Sequence, residues 1–296
     1  MLELTVTSLI WALSFGLIRH QLAGVDPDFV ALARLLLSLL VFLPLVRPRG
    51  LGWRRAGALA AVGAVQFGFM YVTYQEAFQF LAAYQIALFT VFTPIWVTLL
   101  DDLLARRLHL RSLLAAAVAV FGTGVVVYRG VGDHVLLRGF LLVQLSNLCF
   151  AAGQIAYARL MAEPERRPDR QVFGLLYAGA VVAAGVGFAV RGGHVPSLSA
   201  RQGLVLVYLG LVASGVGFFL WNKGARRVNA GALAVMNNLK VPLGVACSLL
   251  VFGERVDLLR VAAGGVLVGL ALWVNGGSAP RREAEPVRGA PLAAPE

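Results

Sequence analysis

Ten apolar stretches of about twenty residues each, set apart by charged or Gly/Pro-bearing breaks, leave this 296-residue chain few ways to fold. They run over 4–20, 29–46, 56–75, 81–100 and 112–128, then 140–158, 172–190, 204–222, 232–252 and 258–274. A helix rising about 1.5 Å per residue needs roughly 20 residues to cross a hydrocarbon core about 30 Å thick. In lipid every backbone N–H and C=O must be paired within the protein, so such spans are helices; the alternating period of a barrel strand is absent. Hydrophobic residues make up 59% of the chain and charged residues 14%, against about 45–50% and about 25% in soluble domains. The predicted fold class is an all-α integral membrane protein with ten transmembrane helices.

Basic residues orient the spans. Of 26 Lys and Arg, sixteen fall in the loops after the even-numbered stretches and in the tail, six fall on the opposite side, and Arg34, Arg159, Lys240 and Arg260 lie within or at the ends of spans. Cytoplasmic loops carry the Lys/Arg excess, so both termini are expected in the cytoplasm. The net charge of +11 is spread over short loops that face anionic lipid, which makes the bilayer the partner and gives no nucleic-acid surface. The N-terminus lacks the basic region and cleavage site of a signal peptide, so the first stretch is expected to stay as a helix. Cys149 and Cys247 sit in apolar stretches and read as free core thiols.

Sliding the chain by 148 positions lays Pro94 on Pro242 and the run 82–100 on 230–248. Each half holds five spans. An odd number makes two copies cross the membrane in opposite senses, which predicts inverted repeats over 1–135 and 136–276, followed by a disordered cytoplasmic tail over 277–296. Each proline, as a helix break, removes a backbone donor and frees a carbonyl near mid-membrane.

Lys240 stands about ten residues into the ninth stretch, roughly 15 Å deep. A cation there costs about 2.5–3.5 kcal/mol on insertion scales, so a use for it is expected; pairing with backbone carbonyls or snorkelling is the plain alternative. Asn237 shares its helix face, while Asn238 points about 100° around. Gln144, Asn147 and Gln154 form one polar stripe on the sixth span, suited either to a solute or to interhelical hydrogen bonds. Trp11, Tyr71, Tyr74, Phe218 and Trp221 could form aromatic walls, and Gln66 lies mid-span between a pocket role and packing. Arg34, about 10 Å inside its span, could greet an incoming anion or cap carbonyls. Glu76, at a span end, is the candidate to carry a coupling proton. The Gly265/Gly269 pair fits close helix packing.

These residues reach a resemblance that covers nearly the whole chain. The first half carries Trp11-Ala12-Leu13-Ser14-Phe15, Arg34 in an Ala/Leu-rich span, and Thr93-Pro94. The second carries Phe150-Ala151-Ala152, Ala230-Gly231-Ala232, Pro242 and Gly253-Glu254. Their order resembles two EamA repeats of the drug/metabolite transporter superfamily. That resemblance implies ten helices, a central cavity, a bacterial inner membrane, and transport of small metabolites without a nucleotide-hydrolysing subunit or cofactor. The runs Leu142–Asn147, Ala213-Ser214-Gly215, Trp221-Asn222 and Met236-Asn237-Asn238 are similar to a biotin-carrying branch of that group. One departure is Lys240, which stands where that branch is expected to have a histidine.

The resemblance implies biotin or a related carboxylate as solute. Biotin asks for a cation or donors at its carboxylate, donors and acceptors at its ureido ring, and an apolar wall for its thiolane. Lys240 would supply the first, Asn237 and Asn238 the second, with Trp11, Trp221 and Asn222 as matched positions. The expected function is a secondary active transporter working by alternating access. Competing expectations are an exporter of amino acids or drug-like metabolites and, in another class, a membrane scaffold or intramembrane enzyme. The chain has no phosphate-cradling Gly-rich loop ending in Lys-Ser or Lys-Thr, no paired histidines at metal spacing and no serine with a buried base, so it is expected not to be an enzyme and to hold no metal.

Overall fold

The computed structural model describes residues 1–47, 49–104, 134–162, 167–228 and 230–254, with isolated positions outside these segments. Among the described residues all regular structure is helical. Eight helices follow one another: α1 (Leu2–Gln21), α2 (Pro27–Leu45), α3 (Trp53–Ala77), α4 (Ala83–Leu104), α5 (His134–Leu160), α6 (Phe173–Val190), α7 (Ala200–Ala225) and α8 (Ala230–Leu250). The first seven are long and apolar enough to cross a membrane, and α8 has 21 residues with Pro242 inside it. Sequence stretches 112–128 and 258–274, the Gly265/Gly269 pair and the tail 277–296 lie outside the described residues.

Local chemistry sets the helix starts. Asp26 Oδ1 accepts from Phe29 N at 2.7 Å while Pro27 occupies the first turn of α2, where a missing N–H costs nothing and φ is already helical. Before α7, Gln202 N donates to Ser199 Oγ at 3.2 Å and Ser199 N donates to Gln202 Oε1 at 2.9 Å. That reciprocal box satisfies two otherwise orphaned donors.

Three irregularities matter for the site. α3 widens to a π-helix over Ala64–Phe69 and α7 does so over Leu209–Val216; the 148-residue shift that aligns the prolines brings 64–69 onto 212–217, overlapping the second widening. Such widenings gather at functional positions because they turn side chains off the regular spiral. In α4 a 3-10 turn over Thr90–Phe92 precedes Pro94. Thr93 N there bonds Thr90 O, so Phe89 O is left without its helical donor.

Side chains close that gap. Asn147 Nδ2 donates to Phe89 O at 2.9 Å, and Thr93 Oγ1 donates to Thr90 O at 2.7 Å. Small residues bring other helices together: a Cβ on Gly63 would collide with the Leu176 backbone, and one on Gly179 with the Ala60 backbone, so α3 and α6 meet main chain to main chain. The outward surfaces carry exposed Leu40, Leu141, Val186 and Leu204, the inverse of a water-soluble domain and a fit for lipid.

Ion pairs join neighbouring helices at their ends. At one end Asp28 pairs with Arg191 at 3.2 Å, Glu76 with Arg138 and Arg191 at 3.6 and 3.7 Å, and His20 with Glu254 at 3.1 Å. At the other, Arg227 meets Glu3 at 2.9 Å, Arg159 meets Asp101 at 3.3 Å, and Arg55 donates to Leu160 O at 2.8 Å. Glu254 also accepts from Ala83 N and Tyr84 N at 3.0 and 3.1 Å. A carboxylate there complements the positive N-terminus of α4.

Candidate functional site

Seven of the eight described helices converge on one partly open chamber. α1 contributes Trp11, Ser14 and Phe15, α2 Arg34, α3 Met70, Tyr71 and Tyr74, and α4 Thr90 and Thr93. Ser146, Asn147 and Phe150 come from α5, Phe218 from α7 and Lys240 from α8. Only α6 stays outside, packed behind α2 and α3.

Lys240 is buried and held by its own helix and by aromatic faces. Nζ donates to Asn237 Oδ1 at 3.1 Å, 5.2 Å from the centre of the Trp11 ring and 5.9 Å from that of Trp221. The amine lies beside the negative faces of both rings, and among the described residues no carboxylate pairs with it. Trp11 is itself fixed by Nε1 donating to Ala213 O at 2.9 Å and by Phe218 at 4.8 Å. Asn237 Nδ2 is buried and has no partner among the described residues.

Arg34 forms the second cationic pole. It is 3% exposed, with Nε donating to Ser214 Oγ at 3.0 Å and Nη2 to the Tyr71 hydroxyl at 2.9 Å. Its Cζ lies 4.6 Å from the centre of the Tyr71 ring. The Tyr71 hydroxyl is also 2.7 Å from Ser214 Oγ, which donates to Leu209 O at 2.7 Å inside the α7 widening. The π-helix thus presents Ser214 to α2. Arg34 Nη1 remains buried with no partner among the described residues.

Several residues singled out from sequence therefore meet at one place. Lys240, Trp11, Tyr71, Tyr74, Asn147 and Arg34 line the chamber, and Asn237 stands behind Lys240. Asn147 does so with its amide engaged, since it also accepts from Thr93 Oγ1 at 3.2 Å. Trp221 backs Trp11 at 5.1 Å and donates to Gln154 Oε1 at 3.1 Å. Pro94 breaks α4 beside Thr93. Other residues lie elsewhere. Gln144 accepts from Trp96 Nε1 at 3.1 Å. Gln66 donates to Asn222 Oδ1 at 3.1 Å, and Asn222 donates to Phe218 O at 3.0 Å, so that pair ties α3 to α7. Asn238 is half-buried and does not line the chamber. Glu76 sits at the rim between two arginines, away from the chamber.

Sequence reasoning missed the hydroxyls of Ser14, Thr90 and Ser146 at the wall. Ser14 and Ser146 carried a signal, through their places in the Trp11–Phe15 and Leu142–Asn147 runs; single Ser and Thr residues in membrane helices ordinarily bond to their own turn. Ser14 Oγ does donate to Ile10 O at 2.8 Å and Thr90 Oγ1 to Ala87 O at 2.7 Å. Among the described residues no group of His, Cys, Asp and Glu could hold a metal.

Comparison with known proteins places this architecture among transporters. A sequence model described as the EamA-like transporter family matches residues 2–128 and 137–276. The chain is 46% identical to a probable biotin transporter of Pseudomonas aeruginosa, over 92% of this chain and 96% of that one. It is 39% identical to a biotin transporter of Escherichia coli, over 92% and 91%. A probable amino-acid metabolite efflux pump of Escherichia coli is 28% identical over 57% and 59%. These relatives are named as transporters, not enzymes. One solved protein crystal structure superposes with a TM-score of 0.63 over 92% of this chain and 96% of the other at 18% identity, a likeness of fold alone.

Proposed function

Because the chain belongs to the EamA-like transporter family, and is therefore a membrane transporter and not an enzyme, we propose that it carries biotin into the cell across the bacterial inner membrane as a secondary active carrier. The observation that carries this reading is the chamber itself. It joins two buried cations to an aromatic wall of Trp11, Tyr71, Tyr74, Phe150 and Phe218, a match for a solute with a carboxylate, a polar ring and an apolar body. The biotin transporters at 46% and 39% identity support the choice of solute.

The solute occupies the chamber between Arg34 and Lys240, with Asn237 orienting the Lys240 amine. Movement follows alternating access: ten helices in two inverted repeats rock about the chamber, opening one end at a time, with both termini in the cytoplasm. The corresponding widenings in α3 and α7 and the corresponding prolines of α4 and α8 support that symmetry. The carrier works without a nucleotide-hydrolysing subunit. Labelled biotin uptake in biotin-requiring cells that lack their own carrier tests the proposal: saturable uptake with this protein is expected, and none from well-inserted protein contradicts it. Export of amino acids is the second reading, favoured by the efflux-pump relative at 28% identity; faster loss of preloaded amino acids, with no biotin uptake, would select it.

A further inference from the structure

The geometry points to a fixed polarity for the solute: its carboxylate binds at Arg34, and its uncharged polar ring binds at Lys240. This rests on the chamber being the solute site, and it reverses the assignment that sequence alone suggests. The two cations differ in what they already hold. Lys240 Nζ has an amide oxygen at 3.1 Å and the faces of two indoles at 5.2 and 5.9 Å, so its charge is balanced without an anion. Arg34 is clasped on two nitrogens by neutral hydroxyls, and Nη1 has no partner among the described residues although Arg34 is 3% exposed. A buried guanidinium with a free N–H face is costly until an anion completes it.

The described residues supply no such anion: none of their eight acidic side chains lines the chamber, and the sequence places no Asp or Glu within stretches 112–128 and 258–274. The counter-charge at Arg34 must therefore arrive with the solute. The Lys240 amine is left to donate to the carbonyl oxygen of the solute's polar ring, and Ser14, Thr90 and Ser146, on the same wall, offer lone pairs to its N–H groups. Trp11, 5.2 Å from the amine, supplies an apolar face.

Biotin and its neutral analogue biotinamide separate the poles. Each competes against labelled biotin for the full-length protein, with insertion checked by the amount recovered as a monodisperse species. Wild type should prefer biotin by about tenfold or more, the worth of one charge-assisted contact. In Arg34→Gln biotin affinity should fall much further than biotinamide affinity, collapsing the ratio towards one. Lys240→Gln should weaken both compounds together and keep the ratio. Arg34→Lys retains a cation without the planar fork and covers the case in which Arg34→Gln fails to fold: the ratio should shrink but persist. Equal losses of both compounds in the Arg34 variants, or a ratio erased by Lys240→Gln instead, overturns the assignment. Wild type that binds neither compound overturns the chamber reading as well, whereas binding with the wrong ratios overturns only the polarity.

Discussion

Trp11, Trp221 and Asn237 surround the buried amine of Lys240. A desolvated cation over an aromatic face gains about 2 kcal/mol. Trp11→Leu should therefore lower solute affinity by more than the loss of one wall contact, since the ring also positions the amine. Equilibrium competition should show a drop of about tenfold or more, with the inserted amount near wild type; an unchanged affinity would mean that the ring is only packing. Asn237→Ala removes the oxygen that orients Nζ and should weaken binding by about five- to tenfold, the worth of roughly 1–1.5 kcal/mol. This i, i+3 pairing was legible in sequence, because helix geometry alone puts Asn237 and Lys240 on one face. The aromatic cage was not, because rings from α1 and α7 reach α8 only through the tertiary fold.

At the scale of helices, the break in α4 explains polar residues that sequence could read two ways. The Gln144–Asn147 stripe faces protein, as a stripe of amides in an apolar helix must, but its first duty is to the carbonyl that the break before Pro94 leaves open. Asn147→Ala should lower thermal stability in detergent by the equivalent of about 0.6–1.7 kcal/mol, and unaltered melting would show that Phe89 O finds another donor. Gln66 and Asn222 are likewise a helix-to-helix tie. A side-chain amide looks the same in sequence whether it serves a solute or a neighbouring backbone, so only the fold distinguishes them. The α3–α6 contact is a sharper case. Gly179→Leu should abolish insertion or yield aggregated protein, because its side chain would occupy the space of the Ala60 main chain; a monodisperse, active Gly179→Leu protein would contradict that packing.

Across the described residues, the positions of eight apolar helices were legible because lipid imposes a fixed length. The surroundings of Glu76 were not, since they depend on where Arg138 and Arg191 come to rest. Under the proposed alternating access, the end that holds His20 and Glu254 must open. These residues, 3.1 Å apart, join α1 to the segment after α8. Replacing both with cysteine, in a background lacking Cys149 and Cys247, should give a protein whose uptake is lost on cross-linking and restored by reductant. Full uptake through the cross-linked form would exclude movement at that end.

The central claim is that the chamber beside Lys240 holds the solute, and equilibrium binding of labelled biotin to purified protein tests it most directly. Wild type should bind saturably with one site per chain, and the Lys240→Leu/Asn237→Ala double variant, equally well folded, should lose about tenfold or more in affinity. Undiminished binding to that variant would contradict the account.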